Sequence, residues 1–98
     1  MIDWFDVSES QQFGTELANF FIERIPPSIS NGKVKTLSKK KDVLGKMFMK
    51  LEQFRLRSKL NFYKKAKFGN AFQWTLNDAG YDPRFIDELT KEILLKLG

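Results

Sequence analysis

Residues 39–67, KKKDVLGKMFMKLEQFRLRSKLNFYKKAK, decide how this chain folds. Projected at 100° per residue, Leu44, Met47, Phe48, Leu51, Phe54 and Phe62 fall on one side of a helix. Met49, Leu56, Leu60 and Tyr63 fall on a second side, at spacings of seven, four and three. Between these apolar stripes runs a basic one made of Lys39, Lys46, Lys50, Arg57 and Lys64, with Gln53 and Asn61 beside it. Its spacings keep the five cations within about 20° of one azimuth at the α-helical period. The pattern predicts one continuous helix over 39–67. Such a helix would be about 43 Å long, whereas a compact domain of this length has a radius of gyration of about 13 Å. It must therefore project, bend or be shared with a second subunit, and Gly45 and Ser58 are the positions where it would bend.

Upstream, residues 8–25 read as a helix opened by the capping-box pair Ser8 and Gln11. Phe13, Leu17, Phe20, Phe21 and Ile25 form its apolar stripe, and Pro26-Pro27 ends it because neither residue has an N–H. Gly14 weakens it by about 1 kcal/mol relative to Ala. Residues 26–38 are polar and punctuated, and are expected to be a mobile loop. Asn31-Gly32 between Ile29 and Val34 leaves a small type I′ hairpin as the alternative. Trp4 and Phe5, ahead of the first helix, read as a hydrophobic lid on the core.

Downstream, Phe72, Trp74 and Leu76 alternate like a strand, which is the alternative for residues 70–79, yet Phe68, Phe72, Leu76 and Ala79 have helical spacing, and Asn70 with Gln73 resembles a capping box. A short helix is expected over 70–79, stopped by Gly80. Residues 83–97 read as a helix with Asp82 as N-cap and Pro83 at its first position. Phe85, Ile86, Leu89, Ile93, Leu94 and Leu97 make its apolar face. Asp87 with Lys91 and Glu92 with Lys96 are acid-first i,i+4 pairs. The expected fold is all-α, a single-domain bundle over 1–98 with about four helices around one long basic central helix. Its expected core is Phe13, Leu17, Phe20, Phe21, Leu44, Phe48, Leu51, Phe72, Trp74, Leu76, Phe85, Leu89 and Ile93.

Composition narrows the chemistry. The 98 residues are 42% hydrophobic and 30% charged, a globular balance. The absence of Cys and His removes disulfides, thiol nucleophiles, the usual metal ligands and the usual general base. Asp82, Asp87, Glu88 and Glu92 are accounted for by capping and lysine pairing, and Phe68-Gly69-Asn70 holds too few glycines to cradle a phosphate. No enzymatic role, cofactor or metal is expected. No apolar run reaches 18 residues, and the acidic start is unlike a signal peptide, so a cytoplasmic protein is the default expectation.

The net charge of +5 is unevenly placed: residues 33–67 carry +11, residues 1–32 carry −4 and residues 68–98 carry −2. Either the basic middle attracts an anionic partner, or the acidic ends fold back and neutralise it. The stripe Lys39, Lys46, Lys50, Arg57 and Lys64 is a candidate anion-binding face that could track nucleic-acid phosphates. The second stripe, Met49, Leu56, Leu60 and Tyr63, is either a self-association seam or a face buried by other helices of the same chain. A helix-turn-helix reading of residues 72–89 is rejected, because the supposed recognition helix opens with Asp82, Asp87 and Glu88 against Arg84 alone. The leading expectation is a non-catalytic interaction module that binds itself or another protein. The alternative is a nucleic-acid accessory protein.

Overall fold

The structure is a computed structural model describing residues 8–27, 34–57 and 62–97, and for 34–39, 57 and 97 the backbone alone. Four helices account for nearly all of these residues: α1 (Ser8–Arg24), α2 (Val34–Arg57), α3 (Phe62–Ala79) and α4 (Pro83–Leu97). Among the described residues there is no strand, and the fold is an all-α bundle.

α1 runs from Ser8 to Arg24 and ends ahead of the two prolines. The last carbonyls of a helix lack intrahelical partners, and prolines bring no N–H to satisfy them. The Ile25 carbonyl instead accepts a hydrogen bond from the Tyr81 hydroxyl, which ties the end of α1 to the corner between α3 and α4. That corner is a Schellman stop. Gly80 has a φ of 98°, its N–H donates to the Asn77 carbonyl at 3.1 Å, and the Tyr81 N–H donates to the Leu76 carbonyl at 3.3 Å. α4 then opens as its sequence predicts, with the Asp82 carboxylate accepting from the Arg84 N–H at 3.2 Å.

The helices close into a ring in the order α1, α3, α4, α2, and α1 with α3 is the most intimate pair. Gly14 is the reason these two approach so closely. A Cβ built there would lie 2.5 Å from the Phe68 carbonyl oxygen and 3.2 Å from the Ala71 Cβ. Gly14 beside Phe68 and Ile25 beside Tyr81 set α1 and α3 parallel. Phe13 beside Phe54 and Phe20 beside Lys50 set α2 antiparallel to α1. The core is one cluster: Leu17, Phe21 and Ile25 from α1 and its end, Met47 and Leu51 from α2, Phe68, Phe72 and Leu76 from α3, Leu89 and Ile93 from α4. The radius of gyration is 13.4 Å and the molecule measures 47 × 23 × 19 Å.

Five expectations need correction. Residues 39–67 are not one helix: α2 ends at Arg57 and α3 starts at Phe62. The Phe13 ring stacks on Phe54 at 4.2 Å and on Phe68 at 5.6 Å, so those two rings lie at most the sum, 9.8 Å, apart. On a straight helix their positions would be about 21 Å apart. Nor is the longest helix central, since α2 packs on α1 and α4 and not on α3.

The loop expected over 26–38 is also shorter than that, because α2 starts at Val34. Val34 and Leu37 stand ten and seven residues before Leu44, in helical phase with it, and nothing after Gly32 interrupts them. The Asn31-Gly32 turn lies outside the described residues, as do Trp4 and Phe5. The helix expected over 70–79 starts eight residues earlier, which puts Asn70 inside α3 instead of at a cap. Its phase is set by Phe68, Phe72 and Leu76, all buried, while Gly69 lies against Leu94 of α4. Trp74, two residues off that line, is 66% exposed and leaves the expected core.

Candidate interaction surface

The basic stripe does not survive as a line. Lys39, Lys46, Lys50 and Arg57 lie on α2, but Lys64 lies on α3, at the diagonal of the ring. Lys46 is exposed. Lys50 holds its ammonium 4.9 Å above the Phe20 ring, which also carries the Arg24 guanidinium at 3.6 Å. Lys64 is half-buried, and the side chains of Lys39 and Arg57 lie outside the described residues. The ion pairs Arg24–Glu23, Arg55–Glu52 and Lys91–Asp87 each form within one helix, and none of them engages a cation of the stripe.

The second apolar stripe is placed differently. α2 turns Val43, Leu44, Met47, Leu51 and Phe54 into the core, as the 3.6-residue period requires. The opposite face carries Met49 at 65% exposure and Leu56 at 77%. Neither α1 nor α4 covers them. Tyr63 is also exposed, at the start of α3, with the Lys67 ammonium 5.7 Å from its ring. Leu60 lies outside the described residues.

Two features of this surface were not read from the sequence. Phe62 was assigned to the core stripe of a continuous helix, yet it is 89% exposed. The helical phase set by α2 ends at Arg57, so positions beyond it follow the phase of α3. Leu95 is 80% exposed on α4; its signal was available, because it falls outside the apolar face of residues 83–97. Phe62 and Leu95 flank a groove of about 600 Å³ between α3 and α4, lined also by Lys65, Ala66, Lys91 and Leu94. Leu56, Phe62, Tyr63 and Leu95 therefore gather at one end of the bundle, where α2 stops and α3 begins.

Elsewhere, Trp74 lines a smaller dent of about 240 Å³ with Asn70, Gln73, Asn77, Pro83 and Ile86. Burial pushes the Tyr81 phenol from its ordinary 10.0 up to about 12. Its hydrogen bond to Ile25 makes it a structural tie between helices. No protein-family model, curated protein or solved structure matches this chain.

Proposed function

We propose that the chain is a small non-catalytic interaction module that associates with a second copy of itself through the outer face of α2. Met49 and Leu56 carry the contact. The supporting observation is that two large apolar side chains, seven residues apart on one helix face, stand in solvent on a bundle whose core is already filled. Seven-residue spacing is the repeat by which helices pair along a seam, and large clustered apolar side chains on a surface mark contact sites. Sedimentation equilibrium tests it. The full chain should associate, and Met49→Asp with Leu56→Asp should yield a monomer of unchanged helicity. A wild-type chain that stays monomeric at about 100 μM, where interfaces of micromolar Kd are largely formed, would overturn the reading.

Nucleic-acid binding stands second. Lys46 faces solvent on a helix that carries eight of the 17 basic residues, but the loss of Lys64 from the line leaves a shorter phosphate track. Salt titration decides it: affinity should fall steeply between 50 and 200 mM salt for any sequence, and Lys46→Glu should weaken it uniformly.

A further inference from the structure

The groove between α3 and α4 combines two properties that arise independently. Its ends are Phe62 and Leu95, and its walls are Ala66 and Leu94, so the lining is almost wholly apolar. Each wall also carries one lysine, Lys65 on α3 and Lys91 on α4. The positive charge around it comes mainly from α3: residues 62–67 hold Lys64, Lys65 and Lys67 with no acid, whereas residues 87–97 hold Lys91 and Lys96 against Asp87, Glu88 and Glu92. Lys91 pairs with Asp87 at 3.2 Å, but both side chains are exposed, and such a pair is readily exchanged for another anion. Lys67 and Lys96 rest their ammoniums over the Tyr63 and Phe48 rings, at 5.7 and 5.2 Å.

We propose that this end of the bundle docks on an anionic lipid surface. Phe62 and Leu95 enter the boundary between headgroups and acyl chains, and Lys65 and Lys91 beside them meet the phosphates. Two features favour a lipid surface over an acidic peptide. The two large apolar side chains stand out from the surface, whereas a groove that seats a peptide helix keeps its apolar groups recessed. Lys65 comes from α3 and Lys91 from α4, one on each wall beside the apolar pair, which suits a plane of headgroups more than one charged strand. Lysine stems can lie along apolar surface while their ammoniums reach the headgroup layer. No described helix is long and apolar enough to cross a membrane, so the contact is one that lies on the surface. This inference uses α3 and α4 and does not rest on self-association through α2.

Vesicle co-sedimentation of the full chain at about 50 mM salt, where headgroup attraction is little screened, provides the test. Vesicles of phosphatidylcholine with phosphatidylglycerol should pellet the protein, and pure phosphatidylcholine should not. Phe62→Ser with Leu95→Ser should weaken binding about tenfold through lost apolar burial. Lys65→Glu with Lys91→Glu should weaken it at least about as much through lost headgroup attraction. Met49→Asp, on the outer face of α2 away from this end, should leave binding intact, and circular dichroism should show every variant folded. Three results would each refute the proposal: no pelleting with the anionic vesicles, equal pelleting with both vesicle types, or anionic binding that ignores Phe62→Ser with Leu95→Ser. Binding to soluble polyglutamate without vesicle binding would reassign the surface to an acidic protein partner.

Discussion

Gly14 and Gly45 both sit inside helices, yet their surroundings make opposite demands. At Gly14 an added Cβ meets the Phe68 backbone, which cannot move without separating α1 from α3; at Gly45 it meets nothing within 4 Å. Gly14→Ala should therefore destabilise the fold by about 1–3 kcal/mol, the usual cost of overpacking. Gly45→Ala should stabilise it by about 0.5–1 kcal/mol through helix propensity. Urea unfolding of the two variants measures both, and equal shifts would contradict the close α1–α3 crossing. Sequence alone assigned Gly14 a propensity penalty and Gly45 a place to bend, and neither reading could see the close approach, which is a property of the partner helix.

Tyr81 allows a second test at this scale. Its folded pKa lies above the unfolded value of 10.0, at about 12. Its stabilising contribution is complete below pH 10 and is lost as pH climbs through 12, by about 1.4 kcal/mol per pH unit within that window. Tyr81→Phe should lose about 1–2 kcal/mol at neutral pH, by leaving the Ile25 carbonyl without its donor. It should also lack this alkaline slope. Melting curves at pH 8 to 11 for the two proteins would reveal whether the slopes differ.

Among the elements, α1 and α4 were legible because their stops are local: Pro26-Pro27 ends one, and Asp82-Pro83 opens the other. The break between Arg57 and Phe62 was not legible. No proline or glycine lies between Gly45 and Gly69, and apolar residues continue on both sides. Only packing separates the two phases, through Phe54 and Phe68 meeting on Phe13. The outward turn of Met49 and Leu56 followed from α2's own period, whereas Phe62 could not be placed without knowing where that period ends. The same logic yields a contrast on α3. Phe72→Ala should cost about 3–5 kcal/mol by opening a core cavity, while Trp74→Ser should stay within about 0.5 kcal/mol, as surface changes do. Thermal denaturation of both variants checks this, and a large loss for Trp74→Ser would return that residue to the core.

At the scale of the whole molecule, the reversal after Arg57 divides the basic middle of the chain between two diagonal helices. What reads as one rod with three stripes becomes an outer apolar face on α2 and a basic, apolar-tipped end on α3 and α4. A single straight helix over 34–79 would be about 69 Å long, more than the 47 Å longest dimension of the molecule. In the bundle, the start of α2 instead meets α4 near the α3–α4 corner, where the Lys40 ammonium lies 5.0 Å from the Phe85 ring. The absence of native cysteine makes the reversal directly measurable by spin labels on Lys41→Cys and Asp78→Cys, two exposed positions. Pulsed electron resonance should give a distance of about 15–30 Å, a helix diagonal plus the labels. A distance near 56 Å, the separation on an unbroken helix, would contradict the account.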